Sequence, residues 1–64
     1  MHERLKLVRI EAGKTIREVS HALGMTISAY AHYEQGIREP SIDILKKICV
    51  YFSVSADYLI GLED

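Results

Sequence analysis

The stretch Thr15–Gly36, TIREVSHALGMTISAYAHYEQG, carries two helix starts with a glycine between them. Thr15-Ile16-Arg17-Glu18 is a capping box. The threonine hydroxyl accepts from the third backbone N–H, and the glutamate reaches back to the cap. Thr26 offers a second N-cap, followed by a helix-capable run to Gln35. Gly24 stands where the first of these helices must stop and reverse, a position that favours left-handed backbone. Val19, Leu23, Met25, Tyr30 and Tyr33 are then left to seal the angle between two short crossed helices.

The same signals recur outward from this stretch. A first helix is predicted from about His2 to Ala12, with Leu5, Val8 and Ala12 as its inward stripe and Gly13 as its stop. The crossed pair covers about Ile16–Ala22 and Ile27–Gln35, the second ended by Gly36. Ile37-Arg38-Glu39-Pro40 reads as a loop, because proline disfavours helix in the residue before it. Ser41 caps a fourth helix, with Asp43 in its first turn and Ile44, Leu45, Ile48 and Phe52 as core residues. Val54-Ser55 breaks the chain again, and Ser55 caps a last short helix, Ala56–Ile60, before Gly61. Five short helices without a strand pattern or repeat make an all-α class.

Sixty-four residues make one domain, 1–64, which buries a smaller share of its surface than a larger chain does. Cys49 is the sole cysteine and lies among Ile48, Val50 and Phe52, so it reads as a reduced core thiol. No apolar run approaches the ~20 residues of a membrane span, and the N-terminus lacks a signal-peptide core. A cytoplasmic protein is expected. Net charge is −1, but residues 1–38 carry six Lys/Arg against four Asp/Glu, and residues 39–64 two against five. The basic excess therefore sits with the crossed helix pair.

At about 100° per residue, Ile27, Ser28, Ala31, His32 and Gln35 share an arc of roughly 140°, opposite Tyr30 and Tyr33. The tyrosines pack inward, so the small, polar side faces out. On geometry alone a merely solvated helix face has the same pattern. A short helix, a tight glycine turn and a second helix is nonetheless the helix-turn-helix arrangement, whose second helix enters the DNA major groove.

The chain resembles the Cro and phage-repressor type of helix-turn-helix protein, the Xre family. Arg9, the capped Thr15–Leu23 helix, Gly24, SAYAHYEQG at Ser28–Gly36, Arg38-Glu39-Pro40-Ser41 and FSVSADYLIG at Phe52–Gly61 carry the likeness. The resemblance implies a lambda-repressor-like domain of five helices that binds double-stranded operator DNA as a homodimer. It implies that Arg9 pairs with Glu34 and anchors the recognition helix. Its base-reading positions fall on Ile27, Ser28, Ala31 and His32. Phosphate-backbone contacts fall on Thr15, Ile16, Arg17, Thr26, Gln35 and Arg38, with Lys14 a weaker candidate and the helix N-terminal N–H groups assisting. Ile16 departs from the glutamine common in relatives and cannot make a bidentate amide contact to adenine.

A two-fold regulator needs a dimer surface, and the C-terminal end offers more apolar residues than its helices can turn inward: Val50, Tyr51, Val54, Tyr58, Ile60 and Leu62. A sensing or oligomerisation domain could follow residues 61–64 in a longer parent chain. The expected function is a DNA-binding transcriptional regulator, a repressor. The alternative is a protein-interaction module that keeps the fold, for which the near-neutral charge would suit. Neither an enzyme nor a metal or cofactor site is expected: there is no phosphate loop or nucleophile–base pair, and His2, His21 and His32 lie on different helices without ligand spacing. No small-molecule substrate is evident.

Overall fold

The computed structural model describes residues 1–62 as α1 (His2–Glu11), α2 (Ile16–Leu23), α3 (Ile27–Gln35), α4 (Ile42–Phe52) and α5 (Ala56–Ile60). Its all-helical, five-helix architecture is the one the sequence leads to. Thr15, Thr26, Ser41 and Ser55 each accept a hydrogen bond from the backbone N–H three residues on. At Thr15 the box is complete: Glu18 N–H donates to the hydroxyl at 3.1 Å, and Thr15 N–H donates to the Glu18 carboxylate at 3.0 Å. Those bonds hold the exposed Glu18 carboxyl below the usual carboxylate range.

Gly24 adopts φ 71, ψ 34 and closes α2 with two bonds, its own N–H to the His21 carbonyl and that of Met25 to Ser20. This reversal sets α3 across α2. The end of α4 uses the same geometry without glycine: Ser53 sits at φ 56, the one non-glycine residue with positive φ among the described residues. A Cβ in that region is strained by ~1–2 kcal/mol, less what glycine loses in unfolded-chain entropy. Ser53→Gly is therefore expected to raise stability by roughly 0.5–1 kcal/mol in urea melts. A lower midpoint would contradict this reading of the α4 stop.

The core gathers Leu5 and Val8 of α1, Val19 and Leu23 of α2, Tyr30 and Tyr33 of α3, Ile48 of α4 and Leu59 of α5. Tyr30 and Tyr33 meet edge to face at 6.3 Å between ring centres. Ser20 is buried too, its hydroxyl donating to the Arg17 carbonyl and so needing no outside partner. The rest of α4's apolar face, Ile44, Leu45 and Phe52, is half-buried against this centre. Met25 and Cys49 pack there as well, and partial burial pushes the Cys49 thiol up.

Two expected helix ends shift by a residue, and with one of them Ala12 leaves the buried face. α1 ends at Glu11, and Ala12 is its exposed cap, so α1 buries only Leu5 and Val8. α2 runs one residue further, to the buried Leu23. Leu7 and Ile10 face outward from α1. α1 packs on α3 and α5, which fixes the direction in which α3 presents its other side.

Candidate nucleic-acid interface

Helix α3 is held from behind and open in front. Tyr30, Tyr33 and Glu34 are buried, while Ile27, Ser28 and Gln35 are exposed and Ala31 and His32 half-buried. The outward arc thus consists of the side chains that the wheel geometry separates from the tyrosines.

The holding device is an ion pair between α1 and α3. Arg9 donates through Nε to Glu34 at 2.7 Å and through a terminal nitrogen to the other carboxylate oxygen at 3.1 Å. Its remaining terminal nitrogen donates to the Lys14 carbonyl at 2.9 Å, just before the α2 cap. One guanidinium therefore fixes α3 and the start of α2 in a single planar fork. The two side chains are 13% and 5% exposed, so the pair lies largely out of water. The hydrogen bond to Glu34 raises the basicity of Arg9 further and keeps it cationic. Tyr30 lies inside near this pair, and burial, aided by the hydrogen-bonding and charge of the nearby Glu34 carboxylate, pushes its phenol well up.

Beyond α3, the chain folds back on the helix it has just left. Gly36 takes φ 77, and the N–H groups of Ile37 and Arg38 both donate to the His32 carbonyl, at 3.1 and 3.3 Å. Gly36 is required here for its positive φ, and a Cβ on it would come within 2.9 Å of the His2 ring, which would have to shift. The tight return keeps the exposed Arg38 at the end of α3.

At the front, a cleft of about 220 Å³ brings Ile16 at the start of α2 together with Ala31 and Gln35 of α3. Arg9, Glu34 and Lys6 complete its lining. Lys6 was not among the sequence candidates, yet a signal existed: it lies one turn before Arg9, on the α1 face that reaches α3. Arg17 is exposed one residue after Ile16. Thr15 and Thr26 spend their oxygen lone pairs on capping but keep an O–H to give to an anion. The two helix starts differ in charge. Glu18 occupies the first turn of α2, whereas α3 has no acidic residue in its first turn, which makes α3 the better anion-facing end.

The remaining candidates lie on α4, α5 and their flanks. Tyr51, Val54 and Tyr58 are half-buried and already pack against the core, whereas Ile60 and Leu62 are 46% and 74% exposed. Arg4 stacks over the Tyr58 ring at 4.8 Å and donates to the Tyr58 carbonyl at 2.9 Å. Tyr58 is thereby bound into the α1–α5 contact of its own chain.

A family model described as Helix-turn-helix matches residues 5–59, which span α1 to the buried Leu59. The chain belongs to the helix-turn-helix family. Within it, α2 and α3 are the two helices of the motif and Gly24 is the turn. Curated relatives agree with the assignment. The HTH-type transcriptional regulator ImmR of Bacillus subtilis is 36% identical over 62 residues, covering 97% of this chain and 49% of the relative. The HTH-type transcriptional regulator AnsR of the same organism is 33% identical over 61 residues, 95% of this chain and 53% of its own length. The uncharacterized HTH-type transcriptional regulator YqaE, also from Bacillus subtilis, is 40% identical over 62 residues, 97% and 53% respectively. The helix-turn-helix chain thus spans about half the length of the curated relatives it matches. No solved structure matches it significantly. Among the described residues, no helix is long and apolar enough to cross a membrane.

Proposed function

We propose that this chain is the DNA-binding unit of a transcriptional repressor acting in the cytoplasm, with α3 lying in the major groove of operator DNA. The observation that carries the reading is the Arg9–Glu34 fork, which holds α3 with its small, polar arc outward. An arc of this size approaches base edges closely, and a helix held so firmly does not have to be ordered on binding. Ser28 and His32 are the polar readers, Ile27 and Ala31 the apolar ones. Thr15, Arg17, Thr26, Gln35 and Arg38 hold the phosphates on either side, and Ile16 meets the backbone with its main-chain N–H at the start of α2.

The unit works as a homodimer, since operator half-sites one helical turn apart need two copies at fixed spacing. Val50, Ile60 and Leu62 are apolar residues left exposed for that contact, flanked by Tyr51, Val54 and Tyr58. Because Tyr58 also binds Arg4 within the chain, Leu62→Asp is the cleaner probe of the interface.

Binding to a duplex selected from a random library, measured over a salt series, tests the assignment. Ser28→Ala and His32→Ala are each expected to weaken the selected site by ~1–3 kcal/mol and leave non-specific binding alone. Arg38→Ala should weaken all duplexes similarly and flatten the salt dependence by about one phosphate contact. Leu62→Asp should abolish cooperativity between half-sites. Unchanged affinity in both Ser28→Ala and His32→Ala would remove α3's outer arc as the reading face.

A further inference from the structure

The cleft in front of α3 combines two apolar side chains, Ile16 and Ala31, with the polar Lys6, Gln35 and the Arg9–Glu34 pair around a space of about 220 Å³. Its one acidic group, Glu34, is neutralised by the Arg9 fork. The ligand it admits therefore has an apolar knob on a polyanionic frame: the apolar walls suit the knob, and Lys6, with Arg17 beside Ile16, suits the frame. In DNA one group meets that description, the 5-methyl of thymine, which projects into the major groove. Ile27, 45% exposed at the start of α3, continues the apolar surface along the same arc.

We infer that the cleft between Ile16 and Ala31 reads operator DNA through the thymine 5-methyl group, with Ile16 a specificity-determining residue. The inference rests on the DNA-binding reading above. It replaces hydrogen-bond readout at the start of α2, which isoleucine cannot supply, by apolar burial. Discrimination then acts between thymine and bases without the methyl, with Ser28 and His32 supplying the polar part of the code.

The test uses the duplex selected from a random library, resynthesised with single thymines replaced by uracil, which removes only the methyl. At one or two positions per half-site the wild-type chain is expected to lose about fourfold in affinity, which is ~0.8 kcal/mol at 1.4 kcal/mol per decade and the size of one buried methylene. With Ile16→Gln, whose fold is checked by circular dichroism, the ratio between thymine and uracil duplexes at those positions should fall to about one. Equal wild-type affinity for thymine and uracil at every position overturns the inference while leaving DNA binding intact. A uracil penalty that persists unchanged in Ile16→Gln also overturns it, because the duplex shape rather than the cleft would then be read. Failure to select any duplex overturns the DNA-binding reading, and this inference falls with it.

Discussion

Arg9→Ala is expected to lower the stability of the domain by about 3–5 kcal/mol, the cost of leaving one member of a buried pair alone. A chain of 64 residues has only about 3–10 kcal/mol to lose. The variant strands Glu34, whose carboxylate is 5% exposed and has no second cation bonded to it among the described residues. Glu34→Ala should cost less, because the Arg9 guanidinium keeps the Lys14 carbonyl and can extend its long stem toward water. Arg9→Lys should rescue only part of the loss, since an ammonium cannot make the two parallel bonds. Urea midpoints check all of this. Wild-type stability in Arg9→Ala would mean that the pair does not anchor α3.

Leu59→Ala should cost about 2–5 kcal/mol for a different reason. α5 is five residues long, too short to be stable as a helix by itself, and it is kept in place by what it buries. Leu59 is fully buried among α1 and α4 residues, so its removal leaves a cavity under a helix with little else to hold it. Arg4 supplies a further tether through Tyr58. Because the apolar residues of the C-terminal surface sit on or beside α5, the same substitution should abolish cooperative DNA binding at temperatures where α1–α4 remain folded. Ile60→Ala, an exposed neighbour, should stay within about 0.5 kcal/mol of wild type. Equal midpoints for Leu59→Ala and Ile60→Ala in thermal melts would contradict the packing of α5.

Most of the architecture is legible because its punctuation is chemical. Thr15, Thr26, Ser41 and Ser55 each mark a helix start by residue type, and Gly24 and Gly36 mark reversals that need positive φ. What the sequence hides is orientation where periodicity is too short or too mixed. α5 has fewer than two turns, so nothing in its pattern distinguishes the buried Leu59 from the exposed Ile60. In α1, Leu5, Leu7, Val8 and Ile10 surround the helix, and tertiary contact with α3 and α5 decides which two turn inward. Ser53 stops α4 in a conformation that its residue type does not announce. The outward arc of α3 follows from the wheel because Tyr30 and Tyr33 are bulky enough to define its inner side. Arg9 and Glu34 lie 25 residues apart, and local pattern does not join them. The family resemblance does, and the fold supplies the reason. Lys6 and the cleft it edges appear only once α1, α2 and α3 are assembled.

The most direct test is a titration of isotopically labelled protein with its selected duplex, following every backbone amide by NMR. The expected result is saturable shifts centred on residues 14–18 and 26–38 and reaching Lys6, with secondary changes at Ile60 and Leu62 as two copies meet on the operator. Shifts centred on α4 and α5, with α3 unmoved at saturation, would contradict the claim that α3's outer arc meets the DNA.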